Sequence, residues 1–212
     1  MDRTSPQAVA RRAYGGTSAA ERREQRRAAL LDAALDVLAA SDAASVTVRG
    51  VCTAARLNDR YFYESFPNTD QLLSAVMEDQ IGLAARTLSD ATATTGDIPS
   101  RVETVITAAL DFFAEDPRRG RLLIESQATE QLRSGRQQFV RFVAALMIAE
   151  AHKENLPSVP EAELEIIALT LINGGLEVVS QWLSGELHAT RDQLLNVLVA
   201  MILTSTKIQI DP

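Results

Sequence analysis

The chain has 212 residues, 46% of them apolar and 5% aromatic, with 21 basic residues against 28 acidic ones for a net charge of −7. That length buries the core of one large or two small domains, and the low aromatic share suits aliphatic helix packing better than a sheet sandwich. No 18-residue apolar run and no basic-then-apolar leader appears, so a soluble cytoplasmic protein with no membrane attachment is expected; the single cysteine, Cys52, excludes an internal disulfide framework.

The charge is uneven. Residues 1–66 hold 10 Arg against 8 acidic residues, net +2, while the remaining 146 carry 11 basic against 20 acidic, net −9. This describes an electropositive head on an acidic body. A head of +2 does not by itself identify DNA as the partner.

In chain order, residues 1–17 combine Pro6, Gly15 and Gly16 with Arg3, Arg11 and Arg12 and little apolar content. They predict a disordered arm that either reaches into a minor groove or touches nothing. Ser18 and Glu21 form a capping box for a helix to about Ala40, with Leu31, Ala34, Leu35 and Leu38 on its apolar stripe. Arg22, Arg23, Arg26 and Arg27 crowd its first turns, where cations oppose the macrodipole. They are either phosphate ligands or a solvated basic face.

Thr47 is a good N-cap for a short helix over Val48–Ala55, and Arg56-Leu57 reads as a turn. Asn58 caps a second short helix, on which Phe62 and Phe66 share one face. Pro67 stops it, and Asn68 with Gln71 opens a third helix from Thr69 to about Ser89, with Gly82 inside it. Two short helices joined by a tight turn form a helix-turn-helix, whose second helix lies in the DNA major groove. Its small core is expected to hold Val51, Ala55, Leu57, Phe62 and Phe66, and Cys52 is expected inside as a small core residue. Gly50 stands in a helix interior at a cost of about 1 kcal/mol relative to Ala.

Further on, Thr92–Pro99 reads as a polar loop and Ser100 with Glu103 as the start of a helix to about Glu115. Asp116-Pro117 begins another helix, carrying Leu122, Leu123 and Ile124. A long helix then runs to about Glu154, with Phe139, Phe142, Val143, Leu146 and Met147 on its apolar side. Ser158 with Glu161, and Thr190 with Gln193, start the last two helices. Both are apolar on two sides, so each needs a second surface: a copy of the chain across a two-fold axis, or a deep single-chain core. The pair Gly174-Gly175 permits close helix approach. The expected fold is all-α: an arm at 1–17, a three-helix head at 18–67 and a larger helical ligand-binding and dimerisation domain at 68–212.

Thr47-Val48-Arg49, the pair Val51-Cys52, Ala55, Leu57, Asn58, Phe62-Tyr63 and Phe66-Pro67 before an acidic, leucine-ending helix start together resemble the TetR family of bacterial transcription regulators, most closely over about residues 25–75. Three positions depart from the family pattern. Arg56 stands where the family usually has Gly, so the turn must avoid a positive φ or bear its strain. Thr69 replaces a phosphate-touching Lys, and Gly50 an often charged residue.

The resemblance implies that Asp59, Arg60 and Tyr61 face bases and that Tyr63 and Ser65 touch phosphates. Arg49 matches a further DNA-contacting position, and Asn58 and Thr69 complete the DNA-facing set. It also implies a small-molecule pocket in the body, for which Phe113, Phe139, Phe142, Leu146, Asn173, Glu177 and Trp182 are candidates. Pairing through the last two helices would engage Leu171, Gly175, Val178, Trp182, Leu194, Leu198 and Met201.

The function expected is a repressor that binds a palindromic double-stranded DNA operator as a homodimer and is released by a small-molecule effector. The alternative is a helical ligand-binding or scaffold protein that has lost specific DNA binding. No cofactor, metal or catalytic centre is expected. His152 and His188, the only histidines, lie in different segments, and no nucleophile-base pattern or phosphate-cradling glycine loop appears.

Overall fold

The computed structural model describes residues 18–93, 96–154 and 160–205. Within them the chain is all helix: α1 (Ala19–Ala40), α2 (Val48–Ala55), α3 (Asp59–Tyr63), α4 (Thr69–Thr92), α5 (Ile98–Glu115), α6 (Pro117–Ile124), α7 (Glu130–Lys153), α8 (Glu161–Ser184) and α9 (Arg191–Ser205). The arm at 1–17 and the cap expected at Ser158 lie outside the described residues.

Most helix starts follow from their caps. The amide of Glu21 donates to Ser18 Oγ at 3.1 Å and that of Ser18 to Glu21 Oε2 at 2.6 Å, the reciprocal box expected. Thr190 and Gln193 make a second such box before α9. Asp116 caps α6 with Pro117 as its first residue.

Three boundaries differ from expectation. α3 ends at Tyr63 rather than reaching Phe66, which lies beyond the helix with its amide still bonded to Phe62 O at 2.8 Å. α5 begins at Ile98 rather than Ser100, because Asp97 accepts from the Ser100 amide at 3.0 Å and Pro99 fits the first turn. α4 continues past Ser89 to Thr92, which shortens the predicted loop.

Three clusters of apolar side chains hold the helices together. In the first, Leu30, Ala34 and Leu38 of α1, spaced four apart and fully buried, meet Val51, Phe62, Phe66, Leu72 and Val76. Leu31, expected on that stripe, is only partly buried against it. Burying Phe62 completely stabilises the head by about 1.5–3 kcal/mol. The same cluster takes in Leu122 and Leu132, so α6 and the start of α7 pack into the head's core. A second cluster joins α7 to α8 through Val140, Ala144, Ala168 and Ile172. A third joins α5, α8 and α9 through Leu110, Val179 and Leu194.

α4 and α7 cross at Gly135. A Cβ there would lie 2.9 Å from Met77 Cβ, closer than packed atoms come, so only glycine permits this approach. Among the described residues, no helix is long and apolar enough to cross a membrane.

Candidate nucleic-acid interface and body cavity

The turn between α2 and α3 sets how α3 is presented. Arg56 has φ 54°, in the left-handed region, so the turn bears the strain that glycine would avoid. Its backbone bonds are complete: the Leu57 amide donates to Cys52 O at 2.9 Å and the Arg56 amide to Thr53 O at 3.2 Å. These are the two bonds of a Schellman ending, and Leu57 packs against the head's core, as often accompanies that motif. Cys52 is buried, and burial first, then the neighbouring Asp59, pushes its thiol pKa up.

α3 is short and polar outward. Asn58 accepts from the Tyr61 amide at 3.3 Å, so its side-chain oxygen is engaged in capping. Asp59 and Arg60 are exposed, and Tyr63 is 61% exposed despite its edge contact with Phe62. Among the described residues Arg60 pairs with Glu64 alone, its neighbour one turn on, at 3.1 Å. An exposed pair of that kind is worth a few tenths of a kcal/mol, so the guanidinium leaves it readily. Arg49 is exposed at the front of α2, while Ser65 and Thr69 are half-buried at the far end of α3 and the start of α4.

Tyr61 departs from this pattern. It is half-buried, with the Arg26 guanidinium 4.5 Å above its ring.

In the arginine cluster of α1, Arg22 and Arg23 are exposed and Arg26 and Arg27 half-buried, and three of the four reach the helix-turn-helix. Arg23 donates to Glu64 O at 2.7 Å, Arg26 pairs with Glu64 at 3.6 Å, and Arg27 stands 5.2 Å from the centre of the Phe66 ring. Three of the four arginines therefore dock α1 onto the turn that ends α3. Chemically, the outward face offers an arginine able to pair with guanine O6 and N7, a carboxylate able to accept from cytosine N4, and a phenol for phosphate oxygen.

The body carries a half-open cavity of about 480 Å³ between α4, α5, α7, α8 and α9. Phe113, Phe139 and Leu146 line it, as expected of pocket residues. Leu171, Gly175, Val178, Leu198 and Met201, singled out for pairing, also line it.

Phe142, Asn173, Glu177 and Trp182 are not on its walls. Asn173 is exposed and donates to Leu169 O at 2.9 Å, and exposed Glu177 accepts from Gln181 at 3.1 Å. Trp182 Nε1 donates to Ala189 O at 2.9 Å, closing the α8–α9 connection. Leu194, expected at a pairing surface, is buried within the single chain against Leu110 and Val179.

The sequence reading missed Arg136, which is buried on the cavity wall. The signal was present: an arginine three residues before Phe139 and seven before Val143 falls on the apolar stripe of α7. Among the described residues no cluster of three metal-ligating side chains occurs.

Residues 30–76 match the family model described as bacterial regulatory proteins, tetR family. No curated protein matches the chain in sequence. Among solved structures, the fatty acid degradation regulator FadR from Bacillus halodurans superposes with a TM-score of 0.71 at 14% identity, over 84% of this chain and 94% of that one. The transcriptional regulator FadR from Bacillus subtilis in complex with stearoyl-CoA gives 0.69 at 15%, over 84% and 97%. A TetR-like transcriptional regulator from Rhodococcus sp. RHA1 gives 0.62 at 19%, over 88% and 97%. The head carries the tetR-family helix-turn-helix, and the chain as a whole has the fold of TetR-family transcriptional regulators.

Proposed function

We propose that this chain, with its tetR-type head and a cavity-bearing body, is a ligand-responsive repressor that binds an inverted-repeat operator as a homodimer. The observation that carries the reading is the outward face of α3. Asp59, Arg60 and Tyr63 stand exposed there on a helix fixed by a fully bonded turn. Arg49 flanks them, and Asn58, Tyr61, Ser65 and Thr69 complete the set at shorter reach.

Pairing rests on the last two helices. Ile166 on α8 and Val197 and Met201 on α9 are 63%, 56% and 52% exposed, an apolar surface that a single chain leaves in water. Gly174 on α8 is exposed with nothing within 4 Å of a Cβ placed on it, and like Val197 and Met201 it also borders the cavity. A two-fold pair presents two copies of α3, and operator half-sites about 34–36 Å apart match such a pair.

Release requires a ligand that binds the head spacing incompatible with DNA better than the compatible one. The apolar walls of the cavity suit a hydrophobic effector, and the stearoyl-CoA bound to Bacillus subtilis FadR, which shares the fold, supports that class. A DNA-binding role places the protein in the cytoplasm.

Selection of bound duplexes from random-sequence DNA tests the reading. Enrichment of an inverted repeat is expected. No enrichment even at low salt would leave the alternative, a helical ligand-binding protein without specific DNA binding.

A further inference from the structure

Arg136 is 8% exposed on α7, and among the described residues no carboxylate lies within ion-pair distance of it. Among the described residues its one hydrogen bond is from Nη1 to Ser126 Oγ at 3.1 Å, and Ser126 is itself 2% exposed. A guanidinium has five donors, so most of its bonding capacity is unmatched. Both residues are on the cavity wall, which is otherwise overwhelmingly apolar.

The other cations on that wall are already neutralised. Arg101 pairs with Glu154 at 2.5 Å, and Arg119 with Glu115 at 3.3 Å, although the buried Arg119 Nε has no hydrogen-bond partner among the described residues. A buried cation without a counter-ion carries a desolvation penalty, and burial accordingly pushes the Arg136 pKa down, opposed in part by the more distant charge of Glu177 on α8. An anion entering the cavity would remove that penalty at one place only.

The cavity's shape says what the anion is attached to. From Arg136 to Glu154, successive turns of α7 present Phe139, Val143, Met147 and Glu150 to it, about 27 Å along the helix axis at 1.5 Å per residue. α4 runs alongside, from Met77 through Ala84 and Leu88 to Thr92. One end is an unmatched cation and the other a satisfied ion pair, with apolar side chains between them.

We propose that the cavity takes an elongated amphipathic carboxylate, its single anionic group paired with Arg136 beside Ser126 and its hydrocarbon body lying along α4 and α7 toward the Arg101–Glu154 pair. This rests on the reading of the body as the effector domain and names the class of its ligand. A planar guanidinium receives a carboxylate through two parallel N–H bonds, and a singly charged head matches a single unmatched cation. A nucleotide thioester carries its charges on phosphates, which this apolar channel does not solvate.

The test is displacement of the neutral dye Nile red from the full chain by straight-chain carboxylates of increasing length, each beside its matching primary alcohol. A charge-assisted pair in this setting is worth about 10–100-fold in affinity, so the best carboxylate should act at a concentration lower than its alcohol by that factor. In Arg136→Met the margin should collapse to about twofold, through loss of carboxylate affinity alone. Removing an uncompensated buried charge should leave the melting temperature unchanged or higher, which shows that the variant is folded. Equal displacement by acid and alcohol, displacement by neither, or a margin that survives Arg136→Met would each overturn the proposal. So would tighter binding of an acyl-CoA than of the free acid with no dependence on Arg136. Adding the same acid to the protein–operator complex separates the two claims: Arg136-dependent binding with no effect on DNA would sink the effector role and leave the site standing.

Discussion

Arg118 of α6 donates to Asp36 of α1 at 2.6 Å, across 82 residues of sequence, and the same nitrogen reaches Asp32 at 2.9 Å. Its other nitrogens grip Asp116, the N-cap of its own helix, at 2.9 to 3.2 Å. Beside it Arg121 donates to Ser41 O, at the end of α1, at 2.7 Å. Two arginines of the body thus fasten the first helix of the head, so a shift of α6 carries α1 and the α3 docked on it.

This fastening makes a pH prediction. The Arg118 guanidinium holds the Asp116 carboxyl below its ordinary value of 3.8. A carboxyl depressed in the folded state contributes stability that is fully present above about pH 4 and lost as pH falls through the folded pKa. Asp116→Asn should therefore lower the melting temperature at neutral pH, by an amount that shrinks as pH falls below 3.8 through the folded-state pKa. Arg118→Met should cost about 1 kcal/mol, since the network is partly exposed and screened. Melting curves over that pH range check both, and a difference independent of pH would contradict the assignment.

Arg56→Gly should stabilise the protein. The left-handed conformation costs a non-glycine residue about 1–2 kcal/mol, and part of that gain is offset by the greater freedom of glycine in the unfolded chain. A net gain of roughly 0.5–1 kcal/mol in urea denaturation is expected. A loss would mean that the arginine side chain makes a stabilising contact that outweighs its backbone strain.

Gly135→Ala should do the opposite. The new methyl group would meet Met77 Cβ at 2.9 Å, so α4 and α7 must separate. Overpacking of this kind costs about 1–3 kcal/mol. Because the crossing adjoins Arg136, the variant should also alter Nile red binding. An unchanged melting temperature would show that the crossing is looser than these distances imply.

Thr69→Lys should steepen the salt dependence of DNA binding. One added phosphate contact raises the slope of log affinity against log salt by about 1 per head. Titration across a salt series reads this directly, and identical slopes would remove Thr69 from the phosphate-facing set.

The head was largely legible in the sequence because its determinants are local. Ser18, Thr47, Asn58 and Asn68 are N-caps whose effect lies within three residues, and Phe62 and Phe66 share a face by spacing alone. The strain at Arg56 was posed as an alternative, and the backbone decides it. The body was less legible because its determinants act at long range. Asn173 and Glu177 look like pocket groups by their polarity in an apolar stretch, yet helix rotation turns both to solvent. Leu194 looks like a pairing residue, yet α5 covers it. Nothing in the spacing of Arg118 or Gly135 announces Asp36 or Met77, since each pairing exists only once the helices have packed.

The measurement that bears most directly on the central claim is an equilibrium titration of the selected inverted-repeat duplex, beside a single half-site and a scrambled duplex, with wild-type protein and Arg60→Ala. The full repeat should bind at least about tenfold tighter than either control, and Arg60→Ala should cost about 1–3 kcal/mol on the repeat while leaving the melting temperature unchanged. Equal affinity for all three duplexes, or an Arg60→Ala variant that binds as well as wild type, would contradict the account of a dimeric regulator reading DNA through α3.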